Sequence, residues 1–220
     1  MNREFIMSTL FARLTSPPLV FPFTADLTAG DIRLANVSDT SGLFLGMPIS
    51  GPGLVAGTTL ATIEPDVTLS KPVNSGGFAV LLTQGFATTG RRLLTLSEVT
   101  NLPALFLVEG NETHPGPNQG FPRAPTTRPQ MITLDPYLWI YASNPDPNGV
   151  PNAIINVLLD GIDKVMLPAD GRFPQNLGLR GVDHCRIEGK TLRAPGSDGT
   201  VNARVQLAVE VIQGVDTVPL

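Results

Sequence analysis

Few side chains in this sequence could do chemistry, and their spacing keeps them apart. Histidine occurs at His114 and His184, and cysteine only at Cys185. His184 and Cys185 are adjacent, yet neighbours along a strand point to opposite faces, so they cannot pair as base and nucleophile. Cys185 reads instead as a small buried hydrophobe. His114 lies in a proline-rich stretch and reads as a solvated loop residue. Asp160 and Asp163 share a helix face at three-residue spacing, the usual pattern of a solvated edge. Asp26, Glu64 and Asp66 read as strand-end residues, and a Ca²⁺ site would need several such oxygens to converge. The chain has no GxSxG elbow, no HExxH helix and no Walker loop. Its glycine-rich segments fall between strands and do not open a helix, so they lack the oriented amides of a phosphate cradle. Arg123 and Arg128 bracket a loop whose aromatic is Phe121, a poor stacking platform for nucleic acid. The reading is a non-enzymatic protein without metal or cofactor.

The elements around these residues have two textures. Residues 2–14 carry a helical stripe, Ile6, Leu10 and Leu14 with Met7 and Phe11 beside it, and Ser16-Pro17-Pro18 ends it. Residues 20–86 are rich in Thr, Val, Leu and Gly. There, short runs such as FTADLT, DIRLANV, TTLATIE, DVTLS and FAVLLTQG are separated by glycine and proline turns. Leu43, Leu45, Met47 and Ile49 alternate as in a half-buried strand. This stretch predicts an antiparallel β-module of five or six strands.

Beyond residue 86 the pattern shifts. A short strand is expected around Arg91-Arg92-Leu93-Leu94 and a strong one at 103–110, PALFLVEG. A long proline-rich loop is expected over 110–130, and loops of that length are usually functional or mobile. In MITLDPYLWIYAS (131–143), Ile132, Leu134, Leu138 and Ile140 share one face and Tyr137, Trp139 and Tyr141 the other. Pro136 there implies a sheet edge or a bulge. Residues 151–167 form a second helix from Pro151, with Ile154, Leu158, Ile162 and Val165 inward. Strands follow near 182–191 and 201–213. In the last, Val201, Ala203, Val205, Leu207, Val209 and Val211 alternate with polar residues. The expected fold is α+β: a mixed or antiparallel sheet flanked by helices (1–19 and 87–220), interrupted by an inserted all-β antiparallel module (20–86).

Composition narrows the function classes. Of 220 residues, 42% are hydrophobic, enough for a real core, and 15% are charged, fewer than the usual quarter. That low charge fits a chain that gives part of its surface to partners. A net charge of −4 argues against broad docking on phosphate backbones. The 22 glycines and 21 prolines exclude a helix bundle. A lone cysteine excludes an internal disulfide and suits folding in a reducing cytoplasm. The N-terminus does not read as a signal peptide, and no apolar run approaches the roughly 20 residues that span a bilayer. The chain therefore reads as soluble.

With the β-module lifted out, the order of segments resembles the phage tail-terminator family, minor tail proteins of the U-like kind. The resemblance rests on FIMSTLFARL, Arg91-Arg92-Leu93, PALFLVEGNE with its polar loop, ITLDPYLWIYAS, PNAIINVLLDGID, GLRGVDHCRIEGK and VNARVQLAVEVI. It covers about residues 1–16 and 87–213 and depends on order and spacing rather than on one motif. The stretch DTSGLFLGMPISGPGLVAGTTLATI separately resembles a small β-module of phage virion proteins. The insertion is a departure, since most family members lack it.

The resemblance implies a homo-oligomeric ring, usually hexameric, on the head-proximal end of the tail tube. Such a ring stops tube polymerisation and meets the head–tail connector or completion protein, and DNA passes through its lumen without being read. It would belong to the tail or neck of the virion and be made in the host cytoplasm, with no membrane partner. Candidate subunit or tube contacts are His114, Asn118, Phe121, Arg123, Arg128, Tyr137 and Trp139, the last two on a face that core packing explains equally well. Two rival readings share the sequence. One is another head–tail neck or completion protein. The other is an adhesive or carbohydrate-binding module, which residues 20–86 serve poorly because they hold no Trp or Tyr.

Overall fold

Apolar alternation in long strands and glycine turns between short ones divide the chain between two main sheets. The computed structural model describes residues 2–15, 21–40, 43, 45–114, 131–143, 152–167, 175–193, 199–212 and 218–219. Among these the fold is mixed α/β, with two α-helices, about 48% strand and several antiparallel sheets.

Helix α1 (Arg3–Thr15) buries Ile6, Met7, Leu10 and Leu14, the stripe its spacing predicts. The next strands form the first sheet: β1 (Phe21–Leu27), β2 (Leu34–Ala35), β3 (Pro48–Ser50), β4 (Thr58–Thr62), β5 (Thr68–Leu69) and β6 (Gly77–Gln84). Their order is β2-β1-β6-β3-β4-β5, and every pairing is antiparallel. Phe23, Ala25, Leu34, Ile49, Leu60, Leu69 and Leu82 fill its core. Glycine makes the connections possible: Gly53 has φ +82°, and a Cβ there would run into the Ser75 carbonyl.

The expected strand through Leu43, Leu45, Met47 and Ile49 is corrected. Leu45-Gly46 is a turn with Gly46 at φ +76°, so the chain becomes extended only from Pro48. The four residues consequently diverge. Leu43 and Ile49 join the small core, while Met47 joins the apolar cluster of the second sheet.

That second sheet runs β11-β12-β9-β8-β7, from β7 (Thr88–Gly90), β8 (Ala104–Thr113), β9 (Met131–Ser143), β11 (Val182–Leu192) and β12 (Thr200–Ile212). Short β10 (Leu179–Arg180) and β13 (Val218–Pro219) pair separately and had no sequence signal. Helix α2 (Asn152–Met166) packs on β9, β11 and β12. One face of the sheet carries a continuous cluster. Leu105 and Leu107 of β8, Ile132 to Ala142 on β9 and Val201 to Val211 on β12 meet the inward residues of both helices.

Two expectations here are corrected. The strand placed at Arg91–Leu94 is instead Thr88–Gly90, parallel to β8. Arg91 leaves the sheet because its guanidinium turns to Glu4 and Glu109. Leu94, Leu96 and Val99 then fold over Phe106 and Tyr141. The loop expected over 110–130 is corrected at its start, since β8 continues to Thr113, and residues 115–130 lie outside the described residues. Pro136 does mark a bulge, though β9 lies inside the sheet and not at its edge. The irregularity falls on β8 between Val108 and Asn111, opposite Pro136. Gly110 sits in it because a Cβ would collide with the Asp135 carbonyl.

Among the described residues no helix is long and apolar enough to cross a membrane.

Candidate interaction surface

Strand β9 presents its aromatic residues on the face turned away from α1 and α2. Alternation places Tyr137, Trp139 and Tyr141 there, and the structure divides them by environment. Tyr141 is core: it is 7% exposed and meets Phe106 edge-on at 6.0 Å. Its hydroxyl donates to the Leu94 carbonyl at 3.2 Å. Burial lifts its phenol above the ordinary value, with Arg193 pulling the other way. The covering segment is anchored by a 3₁₀ turn (Leu96–Glu98), in which the backbone N–H and hydroxyl of Thr95 donate to the Glu98 carboxylate. Those bonds hold the Glu98 pKa below its usual range.

Trp139 and Tyr137 remain half-buried. Trp139 stacks on Tyr141 with centroids 6.4 Å apart and an interplanar angle of 25°. The guanidinium of Arg193 lies 5.0 Å from the Trp139 centroid, and that of Arg204 lies 4.3 Å from the Tyr137 centroid. Each such contact is worth about 0.5–1 kcal/mol at an exposed site. Both arginines are exposed, and among the described residues neither pairs with a carboxylate. The result is a surface on which two guanidiniums lie against two rings, on a sheet whose other face carries the large apolar cluster. Aromatic and arginine side chains are the types enriched in protein interfaces.

A second cluster lies at the N-terminal end of α1. Arg3 meets Glu109 and Glu112, each at 3.2 Å, and also donates to the Gly110 carbonyl at 3.0 Å. Arg91 bridges Glu4 at 2.8 Å and Glu109 at 2.9 Å. His114, just past the end of β8, is exposed as expected of a solvated loop residue, and its Nε2 lies 2.9 Å from the Glu112 carboxylate. These groups are too exposed for any one pair to contribute more than about 0–1 kcal/mol.

Of the predicted contact residues, the structure thus places Tyr137 and Trp139 together and His114 elsewhere. Asn118, Phe121, Arg123 and Arg128 lie outside the described residues. Sequence reasoning missed Arg193 and Arg204. Arg204 was visible as an outward residue of its strand, but its position over Tyr137 depends on the β9–β12 register, which puts Arg204 opposite Trp139.

The residues considered for chemistry do not assemble. Cys185 is 1% exposed, and burial pushes its thiol up to about 12. Asp163, expected on a solvated edge, pairs with Lys190 of β11. Among the described residues no group of three or more His, Cys, Asp or Glu side chains could hold a metal ion.

The β1–β6 sheet has a feature of its own. Phe78 is 92% exposed and Leu81 58%. Phe78-Ala79 forms a bulge opposite Asp26, with Ala79 at φ +46°. The Asp26 carboxylate secures it, accepting from Ala79 N–H and from Asn36 Nδ2, each at 2.7 Å. These bonds, the Ala79 one foremost, hold the Asp26 pKa below its usual range.

Neither the known protein-family models nor the curated proteins give a match to this chain.

Proposed function

We propose that this chain is a ring-forming structural subunit of a tailed-phage virion. It caps the head-proximal end of the tail tube, ends tube polymerisation and joins the tail to the head connector. The observation that carries this reading is the arginine–aromatic surface of Tyr137, Trp139, Arg193 and Arg204, on a long, mostly antiparallel sheet whose other face shares an apolar cluster with α1 and α2. A ring needs a preorganised contact face of this kind, because association must overcome the cost of ordering side chains. The element order of the tail-terminator family supports the same reading. Residues 1–19 and 87–220 make a helix-flanked body, and 20–86 is an inserted module. Consistent with that division, the inward residues of α1 share a cluster with strands that follow the β1–β6 sheet in sequence.

Purified protein added to polymerising tube subunits should shorten the tubes in proportion to its concentration; an unchanged length distribution would refute the assignment. The polar loop is the second arm of the test. Deleting 112–126 would remove the end of β8 together with Glu112 of the ion-pair network. Deleting 115–126 spares both, and should leave a folded protein that no longer caps.

One observation favours a second reading, an adhesive role for residues 21–84: the exposed Phe78 on its secured bulge. Phe78→Ser should then impair adsorption of virions to host cells while tube capping stays normal.

A further inference from the structure

Resting on the ring reading, we infer which two surfaces of neighbouring copies meet: the Arg193–Arg204 face of one subunit docks on the Glu4–Glu109 corner of the next. A closed ring is built from a heterologous contact, so one copy must carry two different, complementary patches. The structure supplies such a pair on opposite faces of one sheet. Arg193 and Arg204 lie on the face away from the helices, over Trp139 and Tyr137. At the far end of that face Arg186 is already matched by Glu188 and Glu210, so among the described residues of these strands the unmatched positive charge on that face is at Arg193 and Arg204.

The second corner lies on the α1 side. There, among the described residues, the three carboxylates of Glu4, Glu109 and Glu112 meet the two guanidiniums of Arg3 and Arg91 and the His114 imidazole, which leaves one carboxylate more than there are guanidiniums. Glu4 is the most open of them, its side chain 72% exposed. Arginine stacked on a ring keeps its N–H edges free, and those edges suit bidentate bonding to a carboxylate. Charge complementarity of this kind selects partner and register. A second copy is the occupant because the same chain carries the matching acidic corner.

Charge reversal tests the pairing. Arg193→Glu/Arg204→Glu makes both patches acidic, and Glu4→Arg/Glu109→Arg makes both basic. Each variant alone should sediment as a monomer under conditions where the wild type forms rings. An equimolar mixture should reassemble, with the two variants alternating by native mass spectrometry. Rings from either variant alone, or a mixture that stays monomeric beside wild-type rings, would overturn the pairing and leave the ring reading standing. Wild-type protein that is monomeric both with and without tubes would remove both.

Should a variant fail to fold, the wild type still decides. Its ring dissociation constant should rise about tenfold or more between low and high salt, because exposed charges are screened. Salt-independent rings count against the pairing. So does an Arg193→Gln/Arg204→Gln protein that keeps its rings but loses a gel shift with duplex DNA, since that would make the face a phosphate-binding surface.

Discussion

The two main sheets of this protein are stabilised in different ways. The β7–β12 sheet uses strands of up to 13 residues and has apolar clusters on both faces, one of them shared with the inward residues of α1 and α2. The β1–β6 sheet uses strands of two to eight residues and one small core. Its shape is set at turns and bulges, where Gly46, Gly53 and Ala79 adopt positive φ and side chains such as Asp26 bond the backbone. Burial therefore carries the β7–β12 sheet, and local backbone chemistry matters more in the β1–β6 sheet.

Substitutions that strike burial should separate the sheets most sharply. Leu207 lies on β12 and is 0% exposed within the helix-covered cluster. Leu207→Asp buries an unpaired charge at a cost on the order of several kcal/mol, a large part of the about 5–15 kcal/mol a domain holds. Circular dichroism should show no cooperative thermal transition; a soluble, cooperatively folded variant would mean this face is not the core. In the other sheet, Leu82→Ala should cost about 2–5 kcal/mol and leave the β7–β12 sheet folded. Hydrogen exchange should show the loss confined to residues 21–84, and equal deprotection of β9 and β12 would argue that the two sheets unfold as one unit.

Cys185 probes the large core by pH. Its thiol is raised from about 9 to about 12, so the folded state prefers the neutral form. The stability this gives is fully present below the unfolded value and is lost as pH rises from about 9 towards 12. Alkylation at pH 8 should be slow in the native protein and rapid in denaturant; fast native labelling would place the thiol at the surface. The smallest effect belongs to Asp26. Its lowered pKa means the bulge is supported above the unfolded value and released as pH falls through the folded one. Asp26→Ala should speed amide exchange at Ala79 while barely moving the melting temperature, and unchanged exchange would show that the carboxylate is not what holds the bulge.

What the sequence revealed follows the same division. The two helices, β8, β9 and β12 were legible because long, regular apolar spacing directly reflects a buried face. β7 was misplaced because Arg91-Arg92-Leu93-Leu94 has a strand-like composition, while its arginine is drawn out by Glu4 and Glu109 across distant segments. Leu43 to Ile49 looked like one strand because alternation says nothing of a turn at Gly46. The interaction face was half legible. Tyr137 and Trp139 share a face by parity alone, but Arg193 and Arg204 reach them only through strand register, which no local pattern encodes.

The most direct measurement is to locate the protein on tails. Gold-labelled protein incubated with purified tail tubes and viewed by electron microscopy should mark one end of each tube, and that end should be the one that joins heads. Label spread along the shaft, at the distal tip or absent from tubes altogether would contradict the account.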